Sequence, residues 1–174
     1  MAKTKAHTAY KLKDGTRVKG VTTILNNLGW NKNVLVAWAR RTALAGDDPD
    51  AVLKEAGAIG TLAHYLCECD IKGVKADTED YSAEQIEKAE NAFLGYLEWK
   101  KMTKPKYEAI ELKMVSEKYK VGGTADFIAR INGSLVLGDF KTSKGIYPEM
   151  TCQLAAYRKM YLETQPKAKI ESAM

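Results

Sequence analysis

Two aspartates and a lysine, separated by one tight turn, are the residues of this chain whose types and spacing point most directly to chemistry. Gly123-Thr124-Ala125-Asp126-Phe127-Ile128-Ala129-Arg130-Ile131 leads into Asn132-Gly133, and Ser134-Leu135-Val136-Leu137-Gly138-Asp139-Phe140-Lys141 leads out. Asn-Gly between apolar runs marks a two-residue hairpin, because a type I′ turn needs positive φ at both central positions. That register pairs Ile131 with Ser134 and, counted outward, sets Asp126 opposite Asp139. Lys141, two residues on, shares their face. Opposed side chains on neighbouring strands hold their Cβ atoms roughly 4.5–5.5 Å apart, and like charges there repel. A cation between the carboxylates removes the conflict. A divalent metal is the simplest such cation, and a lysine beside it gives the group a catalytic character.

Further residues can join this pair. His64 and Glu68 stand at i and i+4 on an expected helix and so share a face from which both could reach one ion. Gln153 and Tyr157, also one turn apart, are candidates to line a substrate groove, and Glu111 is a possible extra carboxylate. Phosphodiester hydrolysis asks for such a set: a divalent cation against the phosphate, an activated water, and positive charge near the transition state. Carboxylates suit Mg²⁺ and Mn²⁺, which prefer oxygen ligands and retain waters. Lys141 could orient or deprotonate the water, or stabilise the pentavalent phosphorane. No Ser-His-Asp or Cys-His arrangement competes, since the only other histidine is His7 in the N-terminal tail. The phosphate-cradling G-x-x-x-x-G-K-[ST] run does not occur, so ATP is not implied.

The elements that must position these residues follow from periodicity and turn chemistry. Tyr10 to Val21 reads as a hairpin turning at Asp14-Gly15, and Val21-Thr22-Thr23-Ile24-Leu25 opens a short helix. A helix is expected from Asn33 to a stop at Gly46, with Val34, Leu35, Trp38 and Leu44 at helical spacing. A second starts at Asp48-Pro49, with the aspartate as cap, and ends at Gly73. Gly57 and Gly60 inside it signal either close backbone approach or a division into two helices. Ser82-Ala83-Glu84-Gln85 has capping-box spacing and opens a third helix to about Lys101, followed by a solvated basic connector with Lys100, Lys101, Lys104 and Lys106. Strands are expected at 107–117, 119–131 and 134–141, then a helix from Pro148 to Thr164 and a last strand at 168–173. The central hairpin carries Phe127, Ala129, Ile131, Val136 and Phe140 on one face and Ile128, Leu135 and Leu137 on the other. Apolar on both sides, it belongs in the middle of a covered sheet. The layout is that of a single α/β domain over 1–174 with a flexible tail at 1–9.

Bulk composition bounds the partners. Lys and Arg number 27 against 22 Asp and Glu, a net charge of +5, which leans towards an anionic partner such as nucleic acid. No apolar run is long enough for a bilayer and no secretory pattern follows Met1, so a cytoplasmic protein with no membrane partner is expected. The three cysteines, Cys67, Cys69 and Cys152, fit neither a disulfide framework nor a zinc site and are one short of an iron–sulfur ligand set. They read as reduced packing residues.

Taken in order, Gly60-Thr61…His64…Glu68, Gly123-Thr124-Ala125-Asp126, Asp139-Phe140-Lys141-Thr142-Ser143 and Gln153…Tyr157 resemble the motifs of the PD-(D/E)XK nuclease superfamily, in its RecB-type and phage exonuclease branch. The opening Val21-Thr22-Thr23-Ile24-Leu25 and Leu35…Trp38-Ala39 are also similar to that branch, so the likeness covers about residues 10–160. It implies a restriction-endonuclease-like core, a central mixed β-sheet flanked by helices. It implies a metal-dependent DNA nuclease, an exonuclease of phage or repair-type DNA processing, using one or two Mg²⁺ or Mn²⁺ ions. His64, Asp126 and Asp139 would ligate metal with the Phe140 carbonyl, and Lys141 would be the catalytic lysine. Gln153 and Tyr157 would support the site and contact DNA, and Glu68 would assist. Relatives with an iron–sulfur cluster carry a cysteine set that is missing here. The chain also stops soon after its last expected strand, where relatives often continue, as in a minimal or truncated form. A homo-oligomer, or a helicase or recombination partner, would change how DNA ends are reached. Two other readings stand beside this one: a nuclease-fold module that binds DNA or protein without cutting, and an endonuclease of the same fold.

Overall fold

A computed structural model describes residues 9–143 and 145–174. Residues 1–8, which hold His7 and nearly all of the expected flexible tail, lie outside the described residues, as does Lys144. Chain order is β1 (Tyr10–Lys11), β2 (Arg17–Gly20), α1 (Val21–Leu28), α2 (Lys32–Leu44), α3 (Pro49–Lys72), α4 (Ala83–Thr103), β3 (Lys106–Ser116), β4 (Val121–Ile131), β5 (Ser134–Gly138), α5 (Pro148–Thr164) and β6 (Ile170–Ala173). The chain is α/β, with a mixed sheet flanked by helices. Contacts divide it into two units, Gly29–Glu98 being one and the remaining described residues the other.

The first unit is helical. Asp48 caps α3 by accepting the Asp50 N–H, Pro49 occupies the first turn, and Gly73 closes the helix at φ 66°. There Gly73 N–H bonds to Asp70 O and Val74 N–H to Cys69 O, the two bonds of a Schellman end. Gly57 faces open space, so it marks neither a close approach nor a break: α3 is one helix of 24 residues. At the start of α4 the capping box is closed in both directions, Ser82 N–H to Gln85 Oε1 at 3.0 Å and Gln85 N–H to Ser82 Oγ at 3.2 Å. Leu62, Ala63 and Ala89 form the buried centre, and Tyr96 OH donates to Asp70 Oδ2 at 2.7 Å. Lys100 and Lys101 continue α4 instead of belonging to a connector, which starts only at Lys104, where φ turns positive (47°). Gly95 lies within α4 without breaking it, and the next proline is Pro105.

The second unit carries the sheet. Strand order is β1-β2-β4-β5-β6, with β3 along the other edge of β4. Pairing is antiparallel for β1–β2, β3–β4 and β4–β5, and parallel for β2–β4 and β5–β6. The Asn132-Gly133 turn has φ of 52° and 86°, and its register runs from Ile131↔Ser134 to Phe127↔Gly138 as the type I′ geometry requires. One side of the sheet packs against α1 and α5 through Val21, Ile128, Leu137, Tyr157 and Met160. On the other side the Phe127 ring meets Trp99 from the last turn of α4, Tyr107 and Phe140 at centroid distances of 5.6, 5.6 and 5.1 Å. Glu163 on α5 fixes the β3–β4 turn by accepting from Ser116 Oγ at 2.6 Å and from the N–H groups of Glu117 and Lys118. Those bonds hold its carboxyl below the ordinary glutamate range. Among the described residues no helix is long and apolar enough to cross a membrane.

Candidate active site at a fork in the sheet

β4 is longer than β2 and β5, the two strands that share one of its edges, and this creates the site. β3 pairs with β4 from Val121 to Arg130, so β2 and β5 must share the opposite edge. β2 reaches only Val121 and Gly122 before the chain turns into α1, and β5 covers only Phe127 to Ile131. Between them residues 123–126 have no strand partner on that edge. A gap where neighbouring strands part is where α/β sheets commonly accept ligands.

Asp126 sits at the gap and is buried, at 9% exposure. The sequence register placed Asp139 directly opposite it. The ladder instead stops one step short, at Phe127↔Gly138: Asp139 lies outside β5, with its N–H on the β6 side bonded to Met174 O at 2.9 Å. The departure swings the Asp139–Phe140 peptide towards the gap, where Phe140 N–H donates to Asp126 Oδ2. The two aspartates are therefore joined through a backbone amide and do not form a rung of the sheet.

Two elements hold Asp139. Lys141 Nζ pairs with Asp139 Oδ2, and Gln153 Nε2 donates to Asp139 Oδ1 at 3.1 Å. The same Gln153 nitrogen donates to Tyr157 OH at 2.8 Å, so one turn of α5 is tied to the end of β5. Burial lowers the Lys141 pKa, against the opposing pull of the Asp126 charge. Burial likewise pushes the Tyr157 hydroxyl up to about 12, with the charges of Tyr10 and Asp126 adding to it and hydrogen bonds from Gln153 and the Thr124 backbone opposing. At neutral pH, Tyr157 is thus a fixed neutral phenol.

Glycines give these side chains room. A Cβ on Gly123 would lie 2.3 Å from Tyr157 Cε1, and one on Gly122 would lie 2.1 Å from Tyr10 Cγ. Tyr10 OH meets Thr124 Oγ1 at 3.0 Å. Tyr10 and Thr124 were missed in the sequence as members of this neighbourhood. The adjacent glycines inside a strand were the available sign, since such residues mark close approach of another group.

Of the residues singled out in the sequence, the structure brings together Asp126, Asp139, Phe140, Lys141, Gln153 and Tyr157. His64 and Glu68 lie one turn apart on α3 in the other unit, where Glu68 pairs with Lys72. Glu111 is exposed on β3 with φ of 49°, between residues paired to Ala125 and Phe127. Cys67 and Cys69 are buried and Cys152 is half-buried, and among the described residues none of them forms a disulfide.

Among the described residues no group of three or more His, Cys, Asp or Glu side chains is assembled tightly enough to enclose a metal. The oxygen donors at the fork are the carboxylates of Asp126 and Asp139. That fits Mg²⁺ or Mn²⁺ in the mode that uses one or two carboxylates and leaves the remaining positions to water and substrate phosphate. It does not fit a closed structural zinc site. Compared with models of known protein families and with curated proteins, the chain gives no match.

Proposed function

We propose that this chain is a metal-dependent DNA nuclease with a PD-(D/E)XK core, acting on DNA ends as an exonuclease of phage or repair-type processing. The observation that carries the reading is the convergence at the sheet fork of Asp126, Asp139, Lys141 and Gln153, four side chains whose types suit phosphodiester hydrolysis. Asp126, Asp139 and the Phe140 carbonyl would hold Mg²⁺ or Mn²⁺, which supplies Lewis-acid stabilisation of the phosphate and a more acidic water.

The chain's own residues do the rest. Gln153 fixes the Asp139 carboxylate, so its orientation is set before substrate arrives. Lys141, its charged form disfavoured by burial, orients the attacking water and, where it gives up its proton, takes one from that water. As an ammonium it offsets negative charge growing on the phosphate. Tyr157, neutral and buried, keeps Gln153 in place and packs against Gly123. The resemblance assigns His64 a ligand's role and Glu68 a supporting one, which His64→Ala and Glu68→Gln test separately.

The test is a substrate panel of end-labelled single- and double-stranded DNA and closed circular plasmid, with Mg²⁺, Mn²⁺ or EDTA. Metal-dependent loss of linear DNA with circles intact supports the exonuclease. Nicked circles mean an endonuclease of the same fold. DNA retained in a gel shift but never cut leaves a binding module.

A further inference from the structure

We propose that Lys113 and Tyr10 form a subsite for the DNA phosphate backbone on the β2 side of the fork, an inference that rests on the nuclease reading above. Lys113 pairs with Thr124 across the β3–β4 ladder, and Thr124 precedes Asp126 by two positions, about 7 Å along the strand. The lysine is exposed yet held in place. Its Nζ donates to the Ala9 carbonyl at 2.7 Å and stands 5.4 Å from the centroid of the Tyr10 ring. Tyr10 is itself fixed, by the bond to Thr124 Oγ1 at 3.0 Å and by packing into the space Gly122 leaves open.

Fixing a lysine forfeits side-chain entropy that a surface position ordinarily keeps. Neither a carbonyl nor a ring neutralises the charge, and among the described residues no carboxylate pairs with Lys113. The result is an immobilised ammonium next to a phenol, on the strand pair that leads to Asp126. A phosphodiester fits such a pair, the ammonium as a point charge and the Tyr10 hydroxyl as a donor while it accepts from Thr124 Oγ1. Lys11, Lys13, Arg17 and Lys19 are likewise exposed, on the β1–β2 hairpin that carries Tyr10. The nearby carboxylates of Asp14 and Glu117 accept the N–H groups of Thr16 and Lys13.

The experiment is fluorescence anisotropy of a labelled oligothymidylate in EDTA, titrated over a salt series so that binding is read without cleavage. Lys113→Gln is expected to weaken binding about 3- to 10-fold and to reduce the salt slope by about 0.7, the share of one phosphate contact on a single strand. Lys113→Arg should restore both. Tyr10→Phe keeps the ring and should lower affinity with the slope unchanged, and Lys88→Gln on α4 should change neither. Lys113→Met replaces the glutamine variant if that one loses its thermal transition. An unchanged slope and affinity in the Lys113 variants, with wild type binding normally, overturns the subsite and leaves the nuclease reading standing. A wild-type protein that neither binds nor cuts DNA removes both.

Discussion

Replacing Gly138 by alanine drives a methyl group into the Phe127 ring, and the geometry says how far. An ideal Cβ at position 138 would lie 1.9 Å from Phe127 Cζ, 2.2 Å from Cε1 and 2.5 Å from Cε2. Carbon atoms settle at 3.5–4.0 Å, so the ring must retreat by roughly 1.5 Å. It is enclosed by Trp99, by Tyr107 edge-on at 89°, and by Phe140. Overpacking of this kind costs typically about 1–3 kcal/mol, and the enclosure puts this site near about 3. For a chain of this size that lowers Tm by about 6–12 °C. Phe127→Leu alone should cost about 1–2 kcal/mol in lost burial while opening space for the methyl. The double variant should therefore be less destabilised than the sum of the singles, by about 1–3 kcal/mol. Because Phe140 packs on the same ring and its N–H holds Asp126, Gly138→Ala should also lower any cleavage activity, and Phe127→Leu should restore part of it. Calorimetry on the four proteins gives the cycle. Strict additivity, or a Gly138→Ala protein melting within about 1 °C of wild type, would refute the packing argument.

The remaining predictions concern the site itself. Tyr157 is 4% exposed and its pKa is raised to about 12 from 10.0, so the folded protein holds this proton more tightly than the unfolded chain. Its contribution is whole below pH 10 and is lost as pH rises from 10 to 12, up to about 3 kcal/mol. Denaturant midpoints over that range should fall more steeply for wild type than for Tyr157→Phe, and equal slopes would contradict the burial argument. Gln153→Ala frees the Asp139 carboxylate and should lower activity about 10- to 100-fold, with more Mn²⁺ needed for half-maximal rate. If metal dependence is unchanged, Gln153 does not position that carboxylate. Lys141→Ala should slow single-turnover cleavage about 10²- to 10⁴-fold with DNA binding retained, and a normal rate would remove the lysine from the mechanism.

Much of this architecture was legible in the sequence because local signals carried it. Asn132-Gly133 determined the hairpin and its register, Asp48-Pro49 and Gly73 bounded α3, and Ser82 with Gln85 opened α4. The end of β5 was not legible. Asp139 falls outside the ladder where the Phe140 N–H turns to the Asp126 carboxylate, a tertiary bond that no local pattern encodes. The fork was hidden for the same reason, since it arises from the different lengths of β2 and β5 along one edge of β4. Tyr10 joined the site neighbourhood only through the parallel β2–β4 pairing, which no local pattern announces. Gln153 and Tyr157, by contrast, were visible as an i, i+4 pair on a regular helix, and they meet as that spacing predicts.

The most direct test of the central claim is single-turnover cleavage of an end-labelled linear DNA by wild type, Asp126→Asn and Asp139→Asn, each in Mg²⁺, Mn²⁺ and EDTA. Each asparagine keeps the shape and removes one carboxylate charge from the fork. The account predicts metal-dependent cleavage by wild type, a loss of about 10³-fold or more in both variants, and oligonucleotide binding in EDTA within a few-fold of wild type. Cleavage by either variant at the wild-type rate, or intact DNA with wild type under every metal, would contradict it.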